Sequence, residues 1–134
     1  MAEQGGDGRI RAMHRIWIAL GSLAGLSGVA MAAYAAHGLP GRLAPEALEM
    51  VRSGVQMQLW HALALVLCGV WAAGRGGALA DWAGAAFVLG ILGFCGAVYA
   101  LGLGGVRVAS LAPVGGVLLM AGWALLGLSA LWRG

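Results

Sequence analysis

Lysine is missing from this chain, and acids are scarce: the eight basic residues are all Arg, against five Asp and Glu. What charge exists is confined to short segments. No Asp, Glu, Lys or Arg falls within residues 16–36, 55–73, 82–103 or 111–132. The net charge of +3 comes from scattered arginines, so no basic run offers a footprint for nucleic acid. Polar stripes at every third or fourth position are also missing, which excludes an ordinary soluble helical protein. Cysteine is nearly absent. Cys68 and Cys95 both lie inside apolar stretches, and there is no CxxC. Neither a zinc site nor a dithiol redox pair is expected, and no metal site at all; buried free thiols usually act as small hydrophobes.

What remains is apolar: 61% of 134 residues, too much for a water-soluble domain of this size. Each uncharged stretch approaches the ~20 residues that a helix needs to cross a ~30 Å hydrocarbon core. The expected fold is all-α, a polytopic membrane protein built as a four-helix up-down transmembrane bundle over residues 16–132. Residues 1–15 are expected to form a cytoplasmic tail. The first stretch ends in Ala33-Tyr34-Ala35, which resembles a signal-peptide cleavage site. At about 21 residues it exceeds the roughly 7–15 of a signal peptide's apolar region, and reads as a retained helix.

With four crossings, Arg9, Arg11, Arg15, Arg75 and Arg133 share one side of the membrane, and Arg42, Arg52 and Arg107 the other. The excess of Arg places both termini in the cytoplasm. Trp17, Trp71, Trp82 and Trp132 then fall at inner ends of spans. Tyr34, Trp60 and Tyr99 fall at or near outer ends, as interfacial anchors do; only Trp123 is deep. Asp81 is expected to cap the third helix, and Gly74, Gly76 and Gly77 to end the second in a tight turn. Pro45, with Glu46 and Glu49 behind it, suits the first turn of a helix running into the second span.

Between helices in lipid, close approach of small residues supplies the association. Gly21, Gly25 and Gly28 in the first span are expected on such faces. So are Gly90, Gly93 and Gly96 in the third, and Gly115, Gly116 and Gly122 in the fourth. The few polar side chains near the membrane are expected to gather. His37 ends the first span, Gln58 and His61 open the second three residues apart on one face, and Tyr99 closes the third. These four form the candidate site, at the outer end of the bundle.

The order and spacing of four motifs add a resemblance: Ala36-His37-Gly38-Leu39, then Gln58-Leu59-Trp60-His61-Ala62-Leu63-Ala64-Leu65, then Gly93-Phe94-Cys95-Gly96-Ala97-Val98-Tyr99, then Ala112-Pro113-Val114-Gly115-Gly116 followed by Gly122-Trp123. Over residues 16–132 the chain resembles a family of small four-helix bacterial inner-membrane proteins known as domain of unknown function four hundred and twenty-three. Eukaryotic relatives of that family carry the name transmembrane protein two hundred and fifty-six. The resemblance implies the fold and a multi-pass location in the bacterial inner (plasma) membrane. It implies no activity. The family usually has Ser near Cys95 and Ala97, and often Thr where Ala112 stands; losing those hydroxyls weakens any site that needs them.

Function is weighed on the polar residues. His37 and His61 read either as a pair of imidazoles, ligating haem or contacting quinone, or as interhelical hydrogen-bonding groups. No span carries the carboxylate that a proton- or cation-coupled exporter needs. Two histidines, two glutamines and a tyrosine are a thin supply for a membrane enzyme. The expected function is therefore non-catalytic: an accessory or structural subunit packing against a larger membrane assembly. Its partners would be the bilayer and other membrane subunits or a second copy, with no nucleic acid and no cofactor. The alternative is binding of quinone or lipid at the polar cluster, with haem or quinone as the cofactor that reading would bring.

Overall fold

The computed structural model describes residues 2–75, 77–108 and 110–132. Gly76 and Arg133 lie outside the described residues, as do the side chains of Arg9, Arg11 and Arg75. Four helices follow one another: α1 (Ala2–His37), α2 (Pro45–Arg75), α3 (Ala78–Gly104) and α4 (Leu111–Leu131). Segments of all four are long and apolar enough to cross a membrane: Met13–His37, Pro45–Gly74, Ala78–Gly104 and Leu111–Leu131. The protein is an all-α, four-helix membrane protein. One end of the bundle, here the distal end, carries the α1–α2 and α3–α4 connections. The other, the terminal end, carries the start of α1, the end of α2, the start of α3 and the end of α4.

Two boundaries differ from the sequence expectation, and one agrees with it. α1 is already helical at Ala2, so the segment expected as a tail belongs to the same helix as the first span, which starts at Met13; no proline interrupts it. α2 opens at Pro45 as expected: its missing N–H matters least in a first turn, and Glu46 lies beside it at the positive end of the helix. α3 opens at Ala78, three residues before Asp81, and Gly77 precedes it at φ 152°, a backbone setting that side chains resist. Ala78, Leu79 and Ala80 are strong helix formers, so the helix starts early. Asp81 therefore does not cap α3. It lies in the first turn and accepts a hydrogen bond from Trp17 Nε1 at 2.8 Å.

α2 and α3 form the centre. α1 packs along α2, α4 packs along α3, and α1 and α3 meet only sparsely. Glycine makes the two long contacts close. A Cβ on Gly21 would sit 2.8 Å from Val66 Cγ2, and one on Gly28 2.8 Å from Leu59 Cδ2. On the other side, a Cβ on Gly90 would meet Leu119, and one on Gly115 would overlap the backbone of Phe94. Gly93 lies against the Gly115 backbone, whereas Gly25 and Gly116 make only ordinary contacts. Gly96 does not pack against a helix: its Cβ direction is open. Three residues advance a helix by about 300°, so steps of three drift, and Gly96 faces about 120° away from Gly90. Gly54, Gly69, Gly84 and Gly102 make close contacts that the sequence reading left out.

Two buried clusters result. The larger gathers Trp17, Leu65, Cys68, Phe87, Ile91, Cys95 and Leu119. Trp17 is thus a core residue, 7% exposed, with its ring over Gly84, and not an interfacial anchor. The smaller, at the distal end, joins Ala35, Leu39, Leu48 and Val51. Leu39 reaches it because the chain folds back after α1: the Gly38 and Leu39 N–H groups both bond Tyr34 O, and Gly41 turns at φ 82°. Tyr99 packs against both clusters.

Candidate functional site

Among the described residues, the buried polar side chains are Gln58 and His61, 7% and 6% exposed. Three residues apart on α2, they project to different neighbours. Gln58 faces α1 and α3. Its Nε2 donates to Ala24 O at 2.9 Å and to Ser27 Oγ at 2.9 Å, and its Oε1 accepts from the Tyr99 hydroxyl at 2.7 Å. One amide therefore ties three helices, a role that apolar surroundings favour because an unpaired amide in hydrocarbon is costly. Tyr99 reaches it by lying over Gly54, where a Cβ would stand 2.8 Å from its ring.

His61 faces α4 and α3. Its Nδ1 donates to Met57 O at 2.6 Å, which leaves Nε2 as the acceptor for Trp123 Nε1–H at 3.1 Å. These partners select the Nδ1-protonated tautomer. Phe87 completes a three-ring cluster, with centroids 5.7 Å from His61 and 5.3 Å from Trp123 in tilted and edge-on geometry. Lower on the same side, Trp71 Nε1 donates to Ser129 Oγ at 3.1 Å, again joining α2 to α4.

The four candidate residues are thus not one cluster. Gln58 and Tyr99 are bonded to each other, His61 belongs to a separate group, and His37 stands apart. His37 is exposed at the end of α1, thirteen residues and about 20 Å from Ala24. The two imidazoles cannot act as a pair, and both His61 nitrogens are engaged. Nor does the polar group lie at the end of the bundle. α2 begins ten residues before the uncharged stretch, and Gln58 bonds residues 24 and 27, the middle of the α1 apolar stretch.

Beside Gln58 is a cleft of about 340 Å³ between α1 and α3, with α2 as its floor. Leu20, Leu23, Val88, Ile91 and Leu92 line most of it, and Ser27, Gln58 and Tyr99 give its distal part the only oxygen and nitrogen side chains among the lining residues. Gly96 forms part of its wall, and a Cβ there would meet no atom within 4 Å. Its volume is at the lower end of the roughly 300–1,000 Å³ of small-molecule sites. Sequence reasoning does not reach Ser27, the Ala24 carbonyl or the partner of Trp123. A deep indole N–H needs an acceptor, which was a usable signal for the last. Among the described residues, no three His, Cys, Asp or Glu side chains are placed to hold a metal ion.

Residues 31–116 match the family described as protein of unknown function, DUF423. A UPF0382 membrane protein of Staphylococcus haemolyticus is 34% identical over 113 residues, covering 84% of this chain and 92% of the relative. One of Staphylococcus epidermidis is 33% identical over 118 residues, covering 87% and 96%. No solved structure matches the chain.

Proposed function

The chain belongs to the DUF423 family of membrane proteins, and on that premise we propose that it is a non-catalytic binder of a neutral membrane amphiphile of the quinone or lipid class, held in the cleft between α1 and α3. The observation that carries this reading is the cleft itself: an apolar slot with its polar groups at one part only. An occupant would lay its apolar body along Leu20, Val88 and Leu92 and turn its polar group toward Ser27 and Tyr99. That group must be neutral, because it would lie near mid-membrane, where a charge is expensive. With both termini cytoplasmic and the protein in the inner membrane, the distal end faces outward and the cleft lies within the bilayer.

Neutral lipids and quinones extracted from the purified full-length protein test the reading, with Gly96→Leu as comparator. A Cβ at Gly96 meets no atom within 4 Å, and Gly96 lines the cleft, so a leucine there is expected to take up cleft space. One amphiphile class enriched over bulk membrane in the wild type and depleted in Gly96→Leu is expected. Identical extracts from the two proteins would end the proposal.

A second reading, the accessory subunit, is favoured by the outward face of α1, where Ala19, Ser22, Ala30 and Ala33 are exposed and small enough for another helix to approach closely. Gentle extraction from native membranes tests it: a defined larger assembly is expected, and a lone monomer would rule it out.

A further inference from the structure

The hydrogen bonds at the polar part of the cleft have a direction that can be read atom by atom. The Ala24 carbonyl can only accept, so the Gln58 atom 2.9 Å away is the amide nitrogen. The second amide hydrogen goes to Ser27 Oγ. Ser27 then turns its own hydrogen to Leu23 O, at 2.9 Å. With Nε2 assigned, Oε1 is the atom facing Tyr99, and the Tyr99 hydroxyl must be the donor. Cys95, the remaining hydrogen-bonding side chain of the lining, directs its thiol to Gly54 O at 3.6 Å. Every side-chain donor lining the cleft is therefore engaged within the protein. What the lining has left is lone pairs, on the oxygens of Tyr99, Ser27 and Gln58.

We infer that the cleft selects a neutral amphiphile carrying a hydroxyl donor over the same skeleton without one, and so takes a quinol in preference to its quinone. The inference rests on the cleft-binding reading above and goes beyond it by fixing the chemistry of the occupant's polar group. A carbonyl or ether oxygen brought against Tyr99 meets an acceptor, and both remain unpaired away from water. A hydroxyl brings the hydrogen that the lining lacks and closes the chain: ligand to Tyr99, Tyr99 to Gln58, Gln58 to Ala24 and Ser27, Ser27 to Leu23. Charged donors are excluded by depth, as an ammonium there would lie in hydrocarbon.

Two matched pairs of probes test this on the full-length protein in lipid nanodiscs, with affinities read by native mass spectrometry. One pair is a decyl-substituted benzoquinol, kept reduced, and its quinone. The other is dodecan-1-ol and its methyl ether. The hydroxyl member is expected to bind roughly three- to tenfold tighter, the worth of one added hydrogen bond. Discrimination in the first pair identifies a quinol as the occupant, and discrimination confined to the second a lipid alcohol. Gly96→Leu is expected to lose binding of every probe while eluting as the wild type does. Equal affinities within both pairs, or preference for the donor-free members, together with loss in Gly96→Leu, would overturn the donor rule and leave the cleft reading standing. Failure of every probe to bind the wild type, or undiminished binding to Gly96→Leu, would overturn both.

Discussion

Gln58 and His61 sit three residues apart on α2, yet the space on their two sides is filled differently. On the His61 side, Phe87 and Trp123 occupy the gap to α3 and α4, and each imidazole nitrogen has one partner. On the Gln58 side the amide bonds Ala24, Ser27 and Tyr99, and a cleft remains beside them. Both groups tie helices together. How closely the flanking helices approach decides which side is closed. Phe87 and Trp123 meet where α4 packs along α3, whereas α1 and α3 meet sparsely and the side chains between them, Tyr99 included, leave space.

The contrast can be broken hardest at α4. Gly115→Leu drives a side chain into the backbone of Gly93 and Phe94. It should separate α3 from α4 at a cost of about 3 kcal/mol or more, seen as loss of a monodisperse peak in size-exclusion chromatography. A next, smaller effect is expected from His61→Ala. This leaves the Trp123 N–H without an acceptor and a void between three helices, for about 2–3 kcal/mol, measurable as a lowered unfolding midpoint in mixed micelles. Tyr99→Phe is the mild case. Gln58 keeps its bonds to Ala24 and Ser27, so the loss should stay near 0.6–1 kcal/mol, the usual worth of an interhelical hydrogen bond in a membrane. A Tyr99→Phe cost equal to that of His61→Ala would mean that the Gln58 side is as tightly built as the other, and the comparison would fail.

Much of the fold is legible in the chain. The uncharged stretches name the four spans, and Pro45 marks where α2 opens. The site is legible only in part. Gln58, His61 and Tyr99 stand out as polar residues in an apolar setting, but spacing puts them at the wrong depth and in one group. The error comes from measuring depth from the start of the apolar stretch, ten residues after the helix opens at Pro45. His37 is misplaced for a related reason: proximity to the end of a span says nothing of how far down the next helix a partner lies. Asp81 reads as a cap from local sequence, but its partner Trp17 is 64 residues away.

By itself the sequence determined that the protein is helical, lies in a membrane and crosses it four times. Hydropathy and length are summed along the chain, and the bilayer demands that each span satisfy its own backbone. Only the tertiary structure decided that Gln58 meets Ala24, Ser27 and Tyr99, that His61 meets Trp123, and that Gly96 opens onto a cleft. Those pairings depend on how far each helix is rotated and slid against its neighbour. That is set by close contacts such as Gly21 on Val66 and Gly115 on Phe94, which join residues distant in sequence. Periodicity shows which residues share a face; contact across the bundle shows what the face meets.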